Sequence, residues 1–501
     1  VGESDPAERR GERVDVSGEA RLLSSRLWPR WLFLRALGLI FLSAFYSLAF
    51  QIHGLIGERG ILPAGAYLEE VRTVLGSAKA LWYAPTLLWL GAGDRALTAL
   101  IAAGIVCSVL LVANVWPRLT VALSTLLFLS CIAALQDFSS YQSDGMLLEA
   151  GFISCFFAPP GIRPGLGANV PPSRASWFML LWEWFRIYFE SGVVKLASGD
   201  PHWRDLTAMD EYYQNGPLPT WIGWYVQQMP HWYHAGTVLI TLGVELVLVW
   251  ALFLPRPFRL ACFLFVAALQ IGIIATANYA FLNYLVLALG VLLLDDAILT
   301  HLRLRVPVME TSVHQRPALW RRIELGVLGF VFYATIVAFV AEVSASAFSW
   351  PARVLAPFRI ANAYGLFAVM TEARYEIEFQ GSRDGVTWVP YAFRYKPQNI
   401  YERPGIYAPY QPRFDWNLWF ASLGPWEQST WVVRAQQRLL ENSPSVLRLF
   451  RNNPFGARAP ALVRTVRWQY WCTDLATKRR TGAWWRRELL GPFTGVVGAT
   501  H

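Results

Sequence analysis

Apolar residues gather in long runs between about residues 31 and 343 and do not alternate with polar ones there. Roughly 18 or more apolar residues suffice for a helix to cross a bilayer. On that basis the pattern predicts spans at about 31–52, 95–115, 119–136, 145–158, 177–197, 234–254, 259–277, 279–295 and 323–343. The run at 145–158 is short and carries Glu149, which suits a tilted or re-entrant element. LWYAPTLLWLGAG at 81–93 is interrupted by Pro85 and reads as interfacial. After residue 344 the pattern changes. Tyr375, Ile377 and Phe379 alternate with polar neighbours, a turn rich in Gly, Ser and Asp follows, and a second strand holds Trp388 and Tyr391. This predicts a β-hairpin over 371–395. VRTVRWQYWCT predicts a further strand, and RPGIYAPYQPRFDW is Pro-spaced and extended. Helices are predicted at 429–441, with Leu439 and Leu440 on the apolar face, and at 444–452, before NNPF.

The predicted architecture is a mainly α polytopic membrane bundle of about nine spans, followed by a β-rich (α+β) soluble C-terminal domain. Residues 1–30 form an N-terminal segment, 31–343 the transmembrane domain and 344–501 the C-terminal domain, whose length lies within the usual domain range.

Composition agrees. Hydrophobic residues make up 54% of the 501 and charged residues only 16%, against an apolar share of about 45–50% in soluble domains. The 24 Trp, 20 Tyr and 30 Phe suit membrane-interface belts. The net charge of +9 is spread beside apolar runs and not gathered on one soluble face, which argues against a nucleic-acid partner and for a role in topology. Arg residues precede the first span and recur in alternate loops, at Arg118, Arg163, Arg174, Arg256, Arg259 and Arg303 to Arg322. The intervening loops QDFSSYQSD and TANYAF hold no base. The positive-inside rule then places the N-terminus in the cytoplasm and, after nine spans, the C-terminal domain outside it. The first 26 residues are polar and charged, so no cleavable signal peptide is predicted. The five cysteines stand singly with no metal or disulfide spacing.

The chemistry concentrates in WFMLLWEWFRIYFESGVVKLASG, a span carrying Glu183, Arg186, Glu190 and Lys195. A charge in a bilayer costs roughly 2.5–3.5 kcal/mol on insertion scales unless paired or wetted. Glu183, Arg186 and Glu190 fall three and four apart and share one helix face. One reading is a buried network in which Arg186 bridges two carboxylates and fixes packing. The other is a functional site. Lys195 is either a snorkelling side chain or a desolvated amine able to act as a base. Asp144, Glu149 and Glu245 are further acids in apolar runs. Asp144, Glu190 and Lys195 are the catalytic candidates. The wider charged cluster adds Glu149, Glu183, Arg186 and, in the following loop, His202, Trp203, Arg204 and Asp205, with Asp210 and Glu211 close behind. Asp205 could cap a short helix. His202, His231 and His234 match no metal-ligand spacing, and neither a phosphate-binding loop nor a nucleophile elbow occurs.

WEWFRIYFESGVVKLASGDPHWRDLTAMDEYYQNGPLPTWIGWYVQQMP closely resembles the core of the lipase maturation factor family: a membrane helix ending in SG-x-x-K, then GD-x-x-WRDLT-x-M, then a Pro-rich stretch. The similarity continues through NYAFLNYLVLALGVLLLDD, YGLFAVMTEARYEIEFQGSRDG, APYQPRFDWNLWFASL, NNPFGARAP and GAWWRRELLG. The resemblance implies a polytopic membrane protein with an extracytoplasmic C-terminal domain. Animal members reside in the endoplasmic reticulum and assist folding and assembly of secreted dimeric lipases. It further implies a membrane folding factor without a cofactor, more readily a chaperone than an enzyme, with membrane lipids and a secreted client such as a lipase as partners. Pro404 and the RFDW stretch are the family-like parts of the tail that could face the client. Only Lys79, Lys195, Lys396 and Lys478 are lysines, a usage that favours a bacterial source and hence the inner membrane. ESGVVKLASGDPHWRD is also similar, more distantly, to vitamin K-dependent γ-carboxylase and HTTM-type membrane domains. That likeness makes Lys195 the base acting on a lipidic quinone-type cofactor in its quinol form, with Asp144 in the place of a histidine. Val194 replaces a second lysine of that pattern. The alternative function is therefore a carboxylase-like membrane enzyme.

Overall fold

The computed structural model describes residues 26–139, 141–300, 317–344 and 349–498. The basic segment before residue 26 and the loop holding Arg303, Arg305 and Arg316 lie outside the described residues. All nine apolar runs are helical. They are α1 (Leu27–Ala49), α2 (Asp94–Val112), α3 (Pro117–Ile132), α4 (Gln142–Phe157), α5 (Arg174–Ala197), α6 (His231–Leu246), α7 (Arg256–Thr276), α8 (Leu282–Gly290) and α9 (Ala318–Ser344). Five of these segments are long and apolar enough to cross a membrane: α1, α2, α6 with the 3₁₀ turns that extend it to Phe253, α7 and α9. The expected count of nine does not follow from length and composition. Helices α3 and α4 have 16 residues each, α8 has 9, and α5 is long enough but carries five charges, Arg174, Glu183, Arg186, Glu190 and Lys195. The stretch at 81–93 is not one helix; helix Ser77–Tyr83 and a 3₁₀ turn at Leu87–Leu90 flank Pro85, whose missing N–H breaks the ladder.

Contacts far apart in the sequence fix the bundle. The Asp296 carboxylate accepts the backbone N–H groups of Leu27 (2.9 Å) and Trp28 (2.8 Å), satisfying orphan donors at the start of α1. Arg30, buried, donates to the carbonyls of Leu166 (2.6 Å), Gly167 (2.8 Å) and Val170 (2.7 Å). Gly167 has φ +67°, and a Cβ there would lie 2.5 Å from the guanidinium, so the turn needs glycine on both counts. Ser173 caps α5, accepting from the Ser176 N–H at 3.1 Å.

The tail forms an antiparallel sheet in the order β2-β1-β3-β4, from β1 (Arg374–Ser382), β2 (Val389–Pro390), β3 (Leu462–Cys472) and β4 (Trp485–Pro492), with β5 (Val497–Gly498) also on β3. The predicted hairpin exists but is minor. Only Gln380↔Pro390 and Gly381↔Val389 pair, because proline cannot extend a ladder. The main partner of β1 is β3, in register from Arg374↔Tyr470 to Ser382↔Leu462. Two helices pack on the sheet, α10 (Arg413–Ser422) and α11 (Trp431–Leu440). The stretch expected to be extended through RFDW is so only to Pro412; Arg413 begins α10. The helix expected at 444–452 is a single turn at Pro444–Leu447. Phe414 and Phe450 (5.2 Å between rings), Phe393 and Phe450 (5.4 Å) and Phe379 and Phe450 (5.8 Å) make the tail's aromatic centre. This centre is continuous with the bundle core: one cluster of buried apolar residues runs from Phe33 to Phe493. In the turn after β1, Asp384 accepts from the N–H groups of Thr387 (2.7 Å) and Val386 (2.9 Å), and these bonds hold its carboxyl below the usual range.

Candidate functional site

Helix α5 turns its ionisable face inward. Glu183, Arg186, Glu190 and Lys195 are all buried, none more than 2% exposed. Their partners come from other parts of the chain. Arg186 pairs with Glu149 of α4 and donates to the Asn362 carbonyl at 2.6 Å. Glu149 also accepts from the Tyr364 hydroxyl (3.0 Å) and from Asn362 through its side-chain amide (2.9 Å) and backbone N–H (3.2 Å). Glu190 accepts the Tyr364 N–H at 2.8 Å. Arg186 does not bridge the two carboxylates of its own helix as expected: it joins α5 to α4 and to the strap before β1 (residues 349–372), and makes no hydrogen bond to Glu183 or Glu190 among the described residues. Glu183 has no hydrogen-bond partner there for either oxygen.

Lys195 does not snorkel. Its ammonium donates to both oxygens of Glu245 on α6, at 2.7 and 2.8 Å, and stands 5.0 Å from the Trp203 ring centroid. Trp203 in turn donates to the Phe367 carbonyl at 3.0 Å. Asp144 is held by Arg413 of α10 in a two-point pair, at 2.7 and 2.8 Å, with both side chains fully buried. The three catalytic candidates thus sit in three separate pairings. None of them lines the main cleft described below. Chemistry shared by Lys195, Glu190 and Asp144 needs convergence on one space, and each is instead occupied by a structural partner.

The loop residues divide in the same way. His202 contacts Thr207 (2.8 Å) and Glu372 (3.4 Å), and Trp203 is buried. Arg204 donates to the Leu196 carbonyl at 3.0 Å. Asp205 is exposed and caps no helix start; the cap of helix Pro201–Arg204 is Asp200, which accepts the His202 N–H at 2.9 Å and the Met370 N–H at 2.5 Å. His231 pairs with Asp210 at 2.8 Å, and His234 is buried. Among the described residues no three His, Cys, Asp or Glu side chains are grouped to hold a metal.

A cleft of about 400 Å³ opens elsewhere, where the bundle meets the tail. The start of α4, the start of α8, helix Ala208–Asn215, the strap at 365–371 and α10 all contribute to its walls. A run of rings lines it. Tyr212 meets Phe367 (5.5 Å), Phe367 meets Tyr279 (5.2 Å), Tyr279 meets Trp416 (6.2 Å), Trp416 meets Tyr141 (5.2 Å) and Tyr141 meets Phe420 (6.0 Å). Glu211 is the cleft's one ionisable carboxylate. Burial raises its pKa, and the Asn215 amide, donating at 2.7 Å, opposes that shift. Asn362, Tyr364 and Arg413 were missed from sequence because each lies far along the chain from its partner, in the 349–372 strap or in α10. The charge count was the available signal: Asp144, Glu149, Glu183, Glu190 and Glu245 outnumber Arg186 and Lys195, so at least one more cation was needed.

The lipase maturation factor transmembrane domain family matches residues 28–301, and the lipase maturation factor C-terminal domain family matches residues 360–495. Lipase maturation factor 1 of Bos taurus is 31% identical over 525 residues, covering 98% of this chain and 93% of its own length. Lipase maturation factor 2 of Homo sapiens is 30% identical over 592 residues, covering 94% of this chain and 83% of its own. No solved structure matches the chain. Its apolar helices and these matches make it an integral membrane protein. With the two family matches following one another along the sequence and full-length similarity to such relatives, the chain belongs to the lipase maturation factor family.

Proposed function

We propose that this protein is a membrane-embedded folding and maturation factor that assists the assembly of a secreted client such as a lipase, without a cofactor. Full-length similarity to proteins named lipase maturation factors carries the reading. The geometry supports it. The buried Asp144, Glu149 and Lys195 are matched to Arg413, Arg186 and Glu245 as framework, while the open surface between bundle and tail is aromatic, as a factor that holds unfinished chains requires. In this reading all nine helices cross or enter the membrane, residues 31–343 form the membrane domain, and residues 344–501 face the extracytoplasmic side. The N-terminus is cytoplasmic in this reading, and the Lys-poor usage favours a bacterial inner membrane. The charged cluster from Glu149 to Asp205 serves to position the tail against the bundle.

The experiment is deletion of the gene in its source organism, followed by assays of secreted lipase activity and of lipase antigen. Inactive, misassembled lipase that plasmid-borne protein rescues is the expected result. Unchanged specific activity of every secreted lipase would overturn the proposal. Accessibility labelling of cysteines placed at exposed positions 386 and 489 tests the orientation, with reaction from outside expected.

A further inference from the structure

We infer that the aromatic cleft between bundle and tail binds an extended polypeptide segment carrying an aromatic side chain next to a basic one. The inference rests on the maturation-factor reading and names what part of a client the protein would grip. Three observations converge. The volume of about 400 Å³ lies at the lower end of pockets that take a ligand, which are roughly 300–1,000 Å³. That is room for a side chain or two and not for a folded surface. Its wall is a continuous run of rings from Tyr212 to Phe420, and rings recognise both another ring and a cation. Its rim is apolar and open: Val369 is 67% exposed, Phe420 48% and Leu423 40%.

Charge selects the neighbour of the aromatic anchor. Glu211 is the cleft's single ionisable carboxylate, and no lysine or arginine among the described residues pairs with it; its bond is to the neutral Asn215 amide. Glu372, with a side chain 76% exposed, stands close by beside His202. An arginine or lysine of the bound segment would meet these carboxylates and the ring faces together.

The test uses the full chain purified in maltoside detergent and fluorescein-labelled unstructured dodecapeptides, read by anisotropy. One peptide carries a central Arg-Trp, a second Arg-Ser and a third Asp-Trp. The expected order is Arg-Trp tightest, with each of the others at least tenfold weaker. Phe420→Ser is expected to erase the advantage of Trp over Ser. Glu211→Gln should erase that of Arg over Asp, and Glu211→Lys should invert it, an outcome that damaged folding does not produce. Equal binding of the three peptides, or unaltered discrimination in all three variants, overturns the inference. So does displacement of the Arg-Trp peptide by dihexanoylphosphatidylcholine at low micromolar concentration, which would make the cleft a lipid site. If discrimination is absent while the protein still restores lipase secretion, the inference falls and the maturation-factor reading stands. If discrimination holds and deletion leaves lipases active, that reading falls and the cleft remains a peptide site.

Discussion

Arg413 and Asp144, 269 positions apart, meet as a fully buried ion pair with two parallel hydrogen bonds of 2.7 and 2.8 Å. Arg413 opens the first turn of α10 in the tail, and Asp144 lies in the first turn of α4 in the bundle. The same guanidinium donates to the Phe138 carbonyl at 2.8 Å and stands 5.4 Å from the Tyr141 ring. A buried pair of this kind is a poor source of net stability but a demanding one to break, since either partner alone is a desolvated charge. It fixes where the tail docks.

Removing one side of that pair is therefore expected to cost about 3–5 kcal/mol. Asp144→Ala and Arg413→Ala should each lower the unfolding temperature of the detergent-solubilised protein by a wide margin. The double variant Asp144→Leu with Arg413→Met, which leaves no orphan charge, should recover most of the loss. Single variants that unfold with the wild type would show that the pair does not anchor the tail.

Lys195 and Glu245 make a second such test, this time of chemistry. Both oxygens of Glu245 receive the ammonium, and Lys195 is 2% exposed. Lys195→Ala is expected to lose about 3–5 kcal/mol and, with it, expressed protein. Lys195→Met with Glu245→Leu should express well and still mature its client, because the pair contributes position and not proton transfer. A well-folded double variant devoid of maturation activity would reverse that assignment.

Local pattern carried a great deal. The nine helical runs, the helix at Trp431–Leu440 and the strand at Leu462–Cys472 all lie close to where periodicity put them, since each is a continuous run with its own breakers. The pairing partner of β1 was not legible. A hairpin turn advertises itself through Gly and Asp, whereas β3 lies some eighty residues onward and only tertiary packing brings it alongside. The charged site divided likewise. The shared face of Glu183, Arg186 and Glu190 is a helix-spacing fact, but the ligands that satisfy it, Asn362 and Tyr364, sit in a strap whose sequence has no periodicity. Asp205, which spacing alone allows as a cap, is not one; Asp200 is, and its place immediately before Pro201 is the stronger signal.

Asp415 gives the tail a pH dependence. It is 2% exposed, and burial pushes its pKa up to about 6, while the N–H groups of Lys396 (3.2 Å) and Tyr395 (3.1 Å) hold it back. In the unfolded chain the same group releases its proton near 3.8. Between these values the folded state binds more protons than the unfolded one, so stability falls as pH rises through the window and levels off above about 6. The full effect is on the order of 3 kcal/mol, at 1.36 kcal/mol per unit. Asp415→Asn keeps an acceptor for the two N–H groups and removes the titration. The stability of wild type relative to this variant should therefore drop between pH 4 and 6 in thermal melts. A constant difference would place the Asp415 proton elsewhere.

Two helix glycines should respond to alanine with opposite signs. At Gly104 of α2 an added Cβ would lie 2.3 to 2.5 Å from the Phe45 ring of α1. That ring cannot swing clear, since Phe41 (6.5 Å) and Phe128 (5.8 Å) flank it and it is fully buried. Overpacking of this kind costs about 1–3 kcal/mol. At Gly236 of α6 nothing lies within 4 Å of the added carbon. There Gly→Ala should stabilise by about 0.4–1 kcal/mol, through the smaller entropy of the unfolded chain. Gly104→Ala with Phe45→Leu should regain part of the loss, because the clash is with the ring and not with the backbone. Thermal unfolding of the four proteins decides it: if Gly104→Ala melts at or above the wild-type temperature, the close approach of α1 and α2 is not what holds this end of the bundle.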